Sequence, residues 1–418
     1  MSSRPDDASA TIDRRQTATL ALGNSLEVYD FLLYGFLAPV MAQQFFPAAD
    51  PLSSLLLTFM VFGAGFIMRP LGAVVLGRLA DRHGRLIALQ WSIGLMGAGT
   101  LIFVLAPTYA QIGTAAGWLL LLGRLLQGFS MGGEISASAV ALLEAGPASS
   151  ATRRVSWQFA SQGAGSTLAA IVVLLLGQWL SAAAFASWGW RLAFALGLLL
   201  VPVAWAMRRQ LAAGHMPPPP AASGLWPAQR QRLLWSTLLI TGSTAGVYLL
   251  LTFLPAYLSE QRGWPKMIGQ LAALAAGITI MLASPWFGRL ADRLREPASL
   301  VRPALACAML LVPLLFWFVQ QDRLQWLLLP LVVLYMLATV AMTVSGLTVL
   351  MQGFAPAHRT LATGIVYSVG VTLFGGFSGA IVFKLLAVTG SAWMPAVYLL
   401  LALATSWLAL SRLQRLAT

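Results

Sequence analysis

The chain is 418 residues long, 58% hydrophobic and only 9% charged, with a mean hydropathy of +0.78. A soluble domain carries roughly 25% charged residues, so these figures exclude a water-soluble fold and describe a chain that crosses a bilayer several times. The formal charge of +13 invites a nucleic-acid partner, which the placement of the arginines removes.

A spanning helix needs about 20 apolar residues at ~1.5 Å each. Taken in order, the apolar runs are expected at 17–46, 53–77, 86–106, 112–142, 155–180, 188–208, 232–258, 266–288, 303–320, 325–353, 360–387 and 392–411. The sixteen residues before them are polar and hold Arg4, Arg14 and Arg15, with no short apolar core followed by a cleavage site. The first helix is therefore expected to insert by itself, without a cleaved signal peptide. Arginines fall on alternate loops: Arg78, Arg82 and Arg85 after the second run, Arg153 and Arg154 after the fourth, Arg208, Arg209, Arg230 and Arg232 after the sixth. Arg289, Arg293, Arg295 and Arg302 follow the eighth, Arg359 the tenth, and Arg412 and Arg415 the last. By the positive-inside rule both termini are cytoplasmic in a multi-pass protein of bacterial inner-membrane type. Cys307 is the only cysteine, so no internal disulfide is expected, and no Cys/His spacing suggests a metal or any cofactor.

The first run carries two acids. Glu27, Asp30 and Tyr34 recur at i, i+3 and i+7, which places both carboxyls and a phenol on one helix face. An ionised group in a spanning helix costs roughly 2.5–3.5 kcal/mol on insertion scales, so these side chains are expected to face protein or a water-filled cavity. In the fourth run Arg124, Gln127, Met131 and Glu134 share a face in the same way.

Between Arg208 and Arg232 the hydrophobicity breaks, and Pro217 to Pro220 cannot continue a helix. This divides the chain into a tail 1–16, a six-helix bundle 17–208, a linker 209–231, a second six-helix bundle 232–411 and a tail 412–418. Across the divide, Gly77-Arg78-Leu79-Ala80-Asp81-Arg82 recurs as Gly288-Arg289-Leu290-Ala291-Asp292-Arg293, 211 positions later. Parallel half-repeats with a solute site between them are a known transporter architecture. The expected fold is an all-α membrane protein of twelve transmembrane helices in two six-helix half-repeats.

Arg69-Pro70-Leu71-Gly72, with Gly77, Asp81, Arg82, Gly84 and Arg85, resembles the loop signature between helices 2 and 3 of the major facilitator superfamily. Gly23-Asn24 to Asp30, Gly123-Arg124-Leu125-Leu126-Gln127-Gly128-Phe129-Ser130 and Ser156-Trp157-Gln158-Phe159-Ala160-Ser161-Gln162 resemble its metabolite:proton symporter branch, nearest to citrate and tricarballylate proton symporters. The likeness is strong over about 20–210 and thinner beyond. Leu86 stands where a second basic residue is usual, and Phe377-Ser378-Gly379 where relatives carry a proline. The resemblance implies a coupling acid in helix 1 opposite an arginine in helix 4, and a substrate-contacting glutamine eight residues after Arg154, which is Gln162.

The residues themselves suggest a proton switch. Asp30 and Arg124 both fall near mid-membrane, where pairing offsets part of the cost of burying either. Protonation of Asp30 would release the planar guanidinium to a substrate carboxylate. A permanent structural ion pair is the alternative, Glu27 is the alternative acid, and Glu134 is either pore wall or proton relay. Tyr34, Arg124, Gln127, Gln158, Gln162, Thr244, Tyr248, Tyr335 and Thr339 are the candidate solute contacts, with buried glutamines also serving as interhelical glue. No charged residue lies deep in helices 7 to 12, so Arg124 is expected to be the one deep anion anchor, suiting a smaller or partly protonated acid better than a trianion. Arg69, Asp81, Arg82, Arg85, Glu144, Arg153, Arg154, Asp292 and Arg293 are the candidate gate. Gly128-Phe129-Ser130-Met131-Gly132 matches a hydrolase elbow but lies inside a helix, where Gly128 and Gly132 serve packing.

The expected function is proton-coupled import of a small organic anion by a monomer in the lipid bilayer. A proton-driven exporter of a carboxylate-bearing metabolite such as a siderophore is the second reading. A nontransporting sensor or a membrane-embedded enzyme is a remote third.

Overall fold

The computed structural model describes residues 14–416 apart from 49, 84, 133, 145, 213–228, 295, 297 and 322–324. The N-terminal tail, Pro217 to Pro220 and the side chains of Asp81, Arg85 and Glu134 lie outside the described residues. Among the described residues nine helices are long and apolar enough to cross a bilayer, and Gly23–Phe36 with Ala38–Phe45, a pair bent by 59°, makes a tenth. Two further helices complete the set of twelve.

In chain order the segments are α1 (Arg14–Phe36 and Ala38–Phe45), α2 (Pro51–His83), α3 (Arg85–Leu105), α4 (Ala115–Ser130 and Glu134–Glu144), α5 (Ala151–Trp179) and α6 (Trp190–Ala212). They are followed by α7 (Arg230–Leu239, Thr241–Tyr248 and Leu254–Glu260), α8 (Lys266–Arg293), α9 (Ala298–Val319), α10 (Leu328–Gln352), α11 (Pro356–Val371 and Ser378–Thr389) and α12 (Met394–Arg415).

The interruptions have local causes. In α1, Pro39 lacks an N–H and its ring cannot sit against the carbonyl four residues back, so the helix turns at Leu37. In α7, Pro255 is preceded by a π-helical turn at Leu249–Phe253 that absorbs the lost hydrogen bond. In α11 a second π turn spans Thr372–Gly376 and contains the Gly375-Gly376 pair. Both turns touch the other half, Leu249–Phe253 against α1 and Thr372–Gly376 against α2, while the broadest contact between the halves is α5 against α8.

At the end of the bundle rich in arginine, Asp292 of α8 accepts hydrogen bonds from the backbone N–H groups of Thr152 at 2.9 Å and Arg153 at 3.0 Å. The α5 N-cap, Ser150, makes no side-chain cap of its own. A carboxylate from the other half thus caps α5 and meets the positive end of its dipole. Beside it Arg359 of α11 pairs with Glu144 of α4 at 2.6 Å.

Toward the opposite end, α2 and α11 interlock ring into glycine. Phe59 lies over Gly379, Phe66 over Gly376, and Phe377 over Gly63, where a Cβ would come within 2.6 Å of the ring. The Thr372 hydroxyl adds a hydrogen bond to the Phe66 carbonyl at 3.1 Å. Phe377 is one of these three knobs.

Candidate functional site

Between these two sets of contacts lies a cavity of about 80 Å³ shared by both halves. At ~15 Å³ per water it holds a handful of waters, so a multi-carbon solute enters only as the walls part. Its polar lining is Arg69, Gln162, Ser243, Thr244, Tyr248, Ser284, Thr343 and Tyr367, among apolar neighbours such as Phe31 and Met131. Arg69 is the one charged residue among the described lining residues.

Arg69, expected among the gate residues at the loop, stands instead in the cavity wall. The fourteen-residue reach from Arg69 to the end of α2 at His83 is about 21 Å of helix, which takes Arg69 away from the loop and into the core. It is 3% exposed. Its guanidinium carbon sits 4.2 Å from the Phe66 ring centroid and 4.7 Å from that of Phe31. Its Nη2 reaches Met131 Sδ at 3.6 Å, the Tyr248 hydroxyl lies within its influence, and its Nε has no acceptor. Gln162 lies beside Tyr367 in the cavity wall, and its amide Nε2 has no acceptor in good hydrogen-bond geometry.

Arg124 occupies a second tier behind this wall and does not line the cavity. The backbones of α2 and α4 touch at Gly65 and Gly128, which brings both arginines to the same ring. Arg124 is wholly buried, with its guanidinium carbon 3.8 Å from the Phe31 centroid. It donates through Nη1 to the Phe31 carbonyl and to Gln127 Oε1, each at 3.0 Å, and through Nη2 to the Phe62 carbonyl at 3.4 Å. Its Nε is unpartnered.

The expected Asp30–Arg124 ion pair is not a direct contact. Asp30 faces α3 and α6, where its Oδ2 accepts from the Thr100 hydroxyl at 2.7 Å and its Oδ1 abuts Gly197 without a donor. Gln127 Nε2 donates to Thr100 Oγ1 at 3.2 Å. Arg124, Gln127, Thr100 and Asp30 thus form a continuous hydrogen-bonded chain in which two neutral side chains separate the charges. The reason is angular: Asp30 and Phe31 are neighbours on α1, about 100° apart around the helix, and Phe31 is the one turned toward the cavity.

The polar face of α1 behaves likewise. Glu27 is buried, and Tyr34 packs against Phe62 and Phe103. Neither lines the cavity, which α1 meets through Val28, Phe31 and Leu32. Of the other expected contacts, Gln162, Thr244 and Tyr248 line it. Gln127 serves the chain just described, while Gln158 accepts from Ser138 at 3.2 Å and holds α4 to α5. Tyr335 and Thr339 are buried elsewhere, Tyr335 against Gly246, and α10 reaches the cavity through Thr343 and Gly346 instead.

Among the gate residues Asp292 joins the halves through hydrogen bonds from backbone N–H groups, with Arg154 near enough to interact with its charge. Glu144 pairs with Arg359 instead of Arg153 or Arg154. Arg154 is spent within its own half, donating to the carbonyls of Leu142, Leu143, Gly146 and Pro147 at 2.7–3.0 Å, where it satisfies the orphan carbonyls ending α4. Arg82, Arg153 and Arg293 are exposed. Sequence reasoning missed Thr100, Phe31, Tyr367 and Arg359. Of these, Arg359 alone carried a signal, as the basic residue of its loop.

Twelve helices in two sets of six around a shared polar cavity define a secondary transporter. The chain belongs to the Major Facilitator Superfamily, whose family model matches residues 20–380, and is a transport protein, not an enzyme. It is 33% identical over 388 residues to the citrate-proton symporter of Salmonella typhi, covering 91% of this chain and 89% of that one. It is likewise 33% identical over 365 residues to the alpha-ketoglutarate permease of Escherichia coli K12, covering 85% and 83%. A solved D-xylose-proton symporter has the same fold, with a TM-score of 0.73 at 15% identity over 94% of this chain and 97% of that one.

Proposed function

We propose that this protein imports a small organic acid together with protons by alternating access, across a bacterial inner membrane with both termini cytoplasmic, as a monomer. The observation that carries the reading is the pair of buried donors at the cavity, Arg69 Nε and Gln162 Nε2, that have no protein acceptor. Buried donors of this kind call for a partner, and a carboxylate supplies it with charge-assisted, forked hydrogen bonds. The relatives' names, citrate-proton symporter and alpha-ketoglutarate permease, agree with an acid. Only one guanidinium borders the cavity, with Arg124 screened by Phe31, and this favours a smaller or partly protonated acid over a trianion.

The proton follows from charge. Carrying a net charge through a low-dielectric region costs several kcal/mol, so a carrier reorients most easily when its charge is the same loaded and empty. With Asp30 ionised the first half carries that carboxylate's negative charge before the solute arrives. When a proton neutralises Asp30 and a solute carboxylate arrives at Arg69, one negative charge has replaced another. Proton and anion therefore cross together. Glu27, one turn away, is the alternative carrier.

The test is uptake into proteoliposomes of a panel of mono-, di- and tricarboxylates with and without an inward proton gradient. Asp30→Asn and Glu27→Gln run alongside. Asp30→Asn is expected to abolish gradient-driven accumulation while leaving exchange. Accumulation that is unchanged in Asp30→Asn and lost in Glu27→Gln moves the proton to Glu27. Failure of every carboxylate to accumulate rejects the reading.

A further inference from the structure

We infer that the Thr100 hydroxyl is the positioning switch through which the protonation of Asp30 is felt at Arg124. The inference rests on the reading of Asp30 as the proton carrier. Thr100 lies on α3, outside the cavity and outside every motif in the chain, yet among the described residues all hydrogen bonding between the acid and the arginine passes through it.

A hydroxyl has one proton to donate and two lone pairs to accept with. Thr100 stands between two acceptors that compete for that proton, Asp30 Oδ2 at 2.7 Å and its own helix's Met96 carbonyl at 3.0 Å. It also accepts from Gln127 Nε2 at 3.2 Å, and Gln127 Oε1 accepts from Arg124 Nη1 at 3.0 Å. With Asp30 ionised, the hydroxyl proton points to Oδ2. Every bond from Arg124 through Gln127 and Thr100 then runs in one direction and ends on a negative charge, an arrangement in which each bond polarises the next. Arg124 is held to that chain.

With Asp30 protonated, the new O–H of the acid donates to Thr100 Oγ1, and the threonine proton turns to the Met96 carbonyl. No bond to Thr100 breaks except hydrogen bonds, and the incoming proton stays on the carboxyl. Thr100 now accepts from both sides, and the chain no longer ends on an anion. Gln127 and Arg124 lose that polarisation, and the guanidinium keeps only the Phe31 and Phe62 carbonyls as undiminished acceptors. A rotation of one hydroxyl thus separates the arginine-holding state from the arginine-releasing state.

The surroundings leave little else to carry the signal. Asp30 Oδ1 abuts Gly197 of α6, where any side chain would collide with it, and has no donor. The titratable and charged groups near Asp30 are Glu27, Tyr29 and Tyr34 of its own helix and Arg124 of α4. The Tyr29 hydroxyl is committed to the Ala193 carbonyl at 2.8 Å. In α6, Arg191 is held by the carbonyls of Ser187 and Ala106 at 2.7 and 2.8 Å. Among the described residues Thr100 is the one hydrogen-bond donor to the Asp30 carboxyl.

Thr100→Val keeps the shape and removes the hydroxyl, Thr100→Ser restores it, and Gln127→Leu breaks the chain one link further on. Infrared titration of the purified protein in lipid follows the neutral-carboxyl band that Asp30→Asn deletes. Thr100→Val is expected to displace the midpoint of that band by about one pH unit, a tenfold change for a charge-assisted hydrogen bond. Thr100→Ser should return it. In exchange with labelled citrate and 2-oxoglutarate, the wild-type pH dependence of apparent affinity should flatten at least threefold in Thr100→Val and in Gln127→Leu and recover in Thr100→Ser. A midpoint and a pH profile unchanged in Thr100→Val, with Asp30→Asn still deleting the band, overturn the role of Thr100 alone. If Asp30→Asn deletes no band, the assignment of the proton to Asp30 is what has failed.

Discussion

Arg69 offers the sharpest measurement, because its contacts in the empty cavity are known. Replacing it with glutamine removes a guanidinium whose Nε is unpartnered and whose other contacts are the rings of Phe31 and Phe66, Met131 Sδ and the Tyr248 hydroxyl. The ring contacts, worth ~2 kcal/mol when desolvated, are lost from the free and the loaded protein alike and largely cancel from binding. What does not cancel is the solute carboxylate. Truncating one partner of a buried charged pair costs ~2–5 kcal/mol, and ~3 kcal/mol corresponds to a rise in KM of about 150-fold at ~1.4 kcal/mol per decade. Arg69→Lys keeps the charge but not the fork, so it should fall between, near tenfold. The assay is initial uptake against solute concentration, with thermal unfolding in detergent to show that each variant folds. Arg124→Gln is the comparison: screened behind Phe31, it should lower turnover and coupling more than it raises KM. A folded Arg69→Gln with KM within threefold of wild type refutes Arg69 as the anion's partner.

Two further outcomes follow from how the halves touch. Gly376→Ala puts a methyl into the Phe66 ring; overpacking of this kind costs ~1–3 kcal/mol, and paired spin labels on α2 and α11 should show the two helices further apart, an unchanged distance counting against the interlock. Asp292→Ala removes the carboxylate cap of α5 and should cost ~1–2 kcal/mol, read as faster labelling of a cysteine at the arginine-rich end. Glu144→Gln, whose side chain is 48% exposed in its pair with Arg359, should change that labelling little, since exposed pairs are worth ~0–1 kcal/mol.

The helices were legible because the bilayer imposes one length on every span, and twelve apolar runs of about that length are hard to misread. The repeated loop and the Pro-rich divide were legible for the same reason, as departures from an otherwise apolar text. Which side of each helix faces the solute was not. Periodicity groups Glu27, Asp30 and Tyr34 on one face, but in a membrane protein a polar face is satisfied equally by a cavity or by neighbouring helices of its own half. Here the neighbours won, and the apolar stripe of Val28, Phe31 and Leu32 meets the cavity. Arg69 was hidden by its motif: the signature was read as a loop although the residue stands eight positions inside the run ending at 77. Thr100 and Arg154 were beyond reach, since the partners that define them are a carboxyl on another helix and a set of backbone carbonyls.

The distribution of charge between the halves constrains how the cycle runs. Arg69, Arg124 and Asp30 all belong to α1, α2 and α4, whereas the second half gives the cavity hydroxyls from Ser243, Thr244, Tyr248, Ser284, Thr343 and Tyr367 and, among the described residues, no charge. On the proposed reading the anion and the proton are therefore handled by the first half, and the polar remainder of the solute by the other. The two are mechanically joined through shared rings. Phe66 stacks on Arg69 and also fills the space over Gly376 of α11, while Phe31 separates Arg69 from Arg124. A carboxylate held by the Arg69 fork sits against the same rings whose packing closes α2 on α11. On that reading two phenyl groups couple solute occupancy to closure, so conservative changes at Phe31 and Phe66 should alter the cycle even though neither side chain can bind an anion.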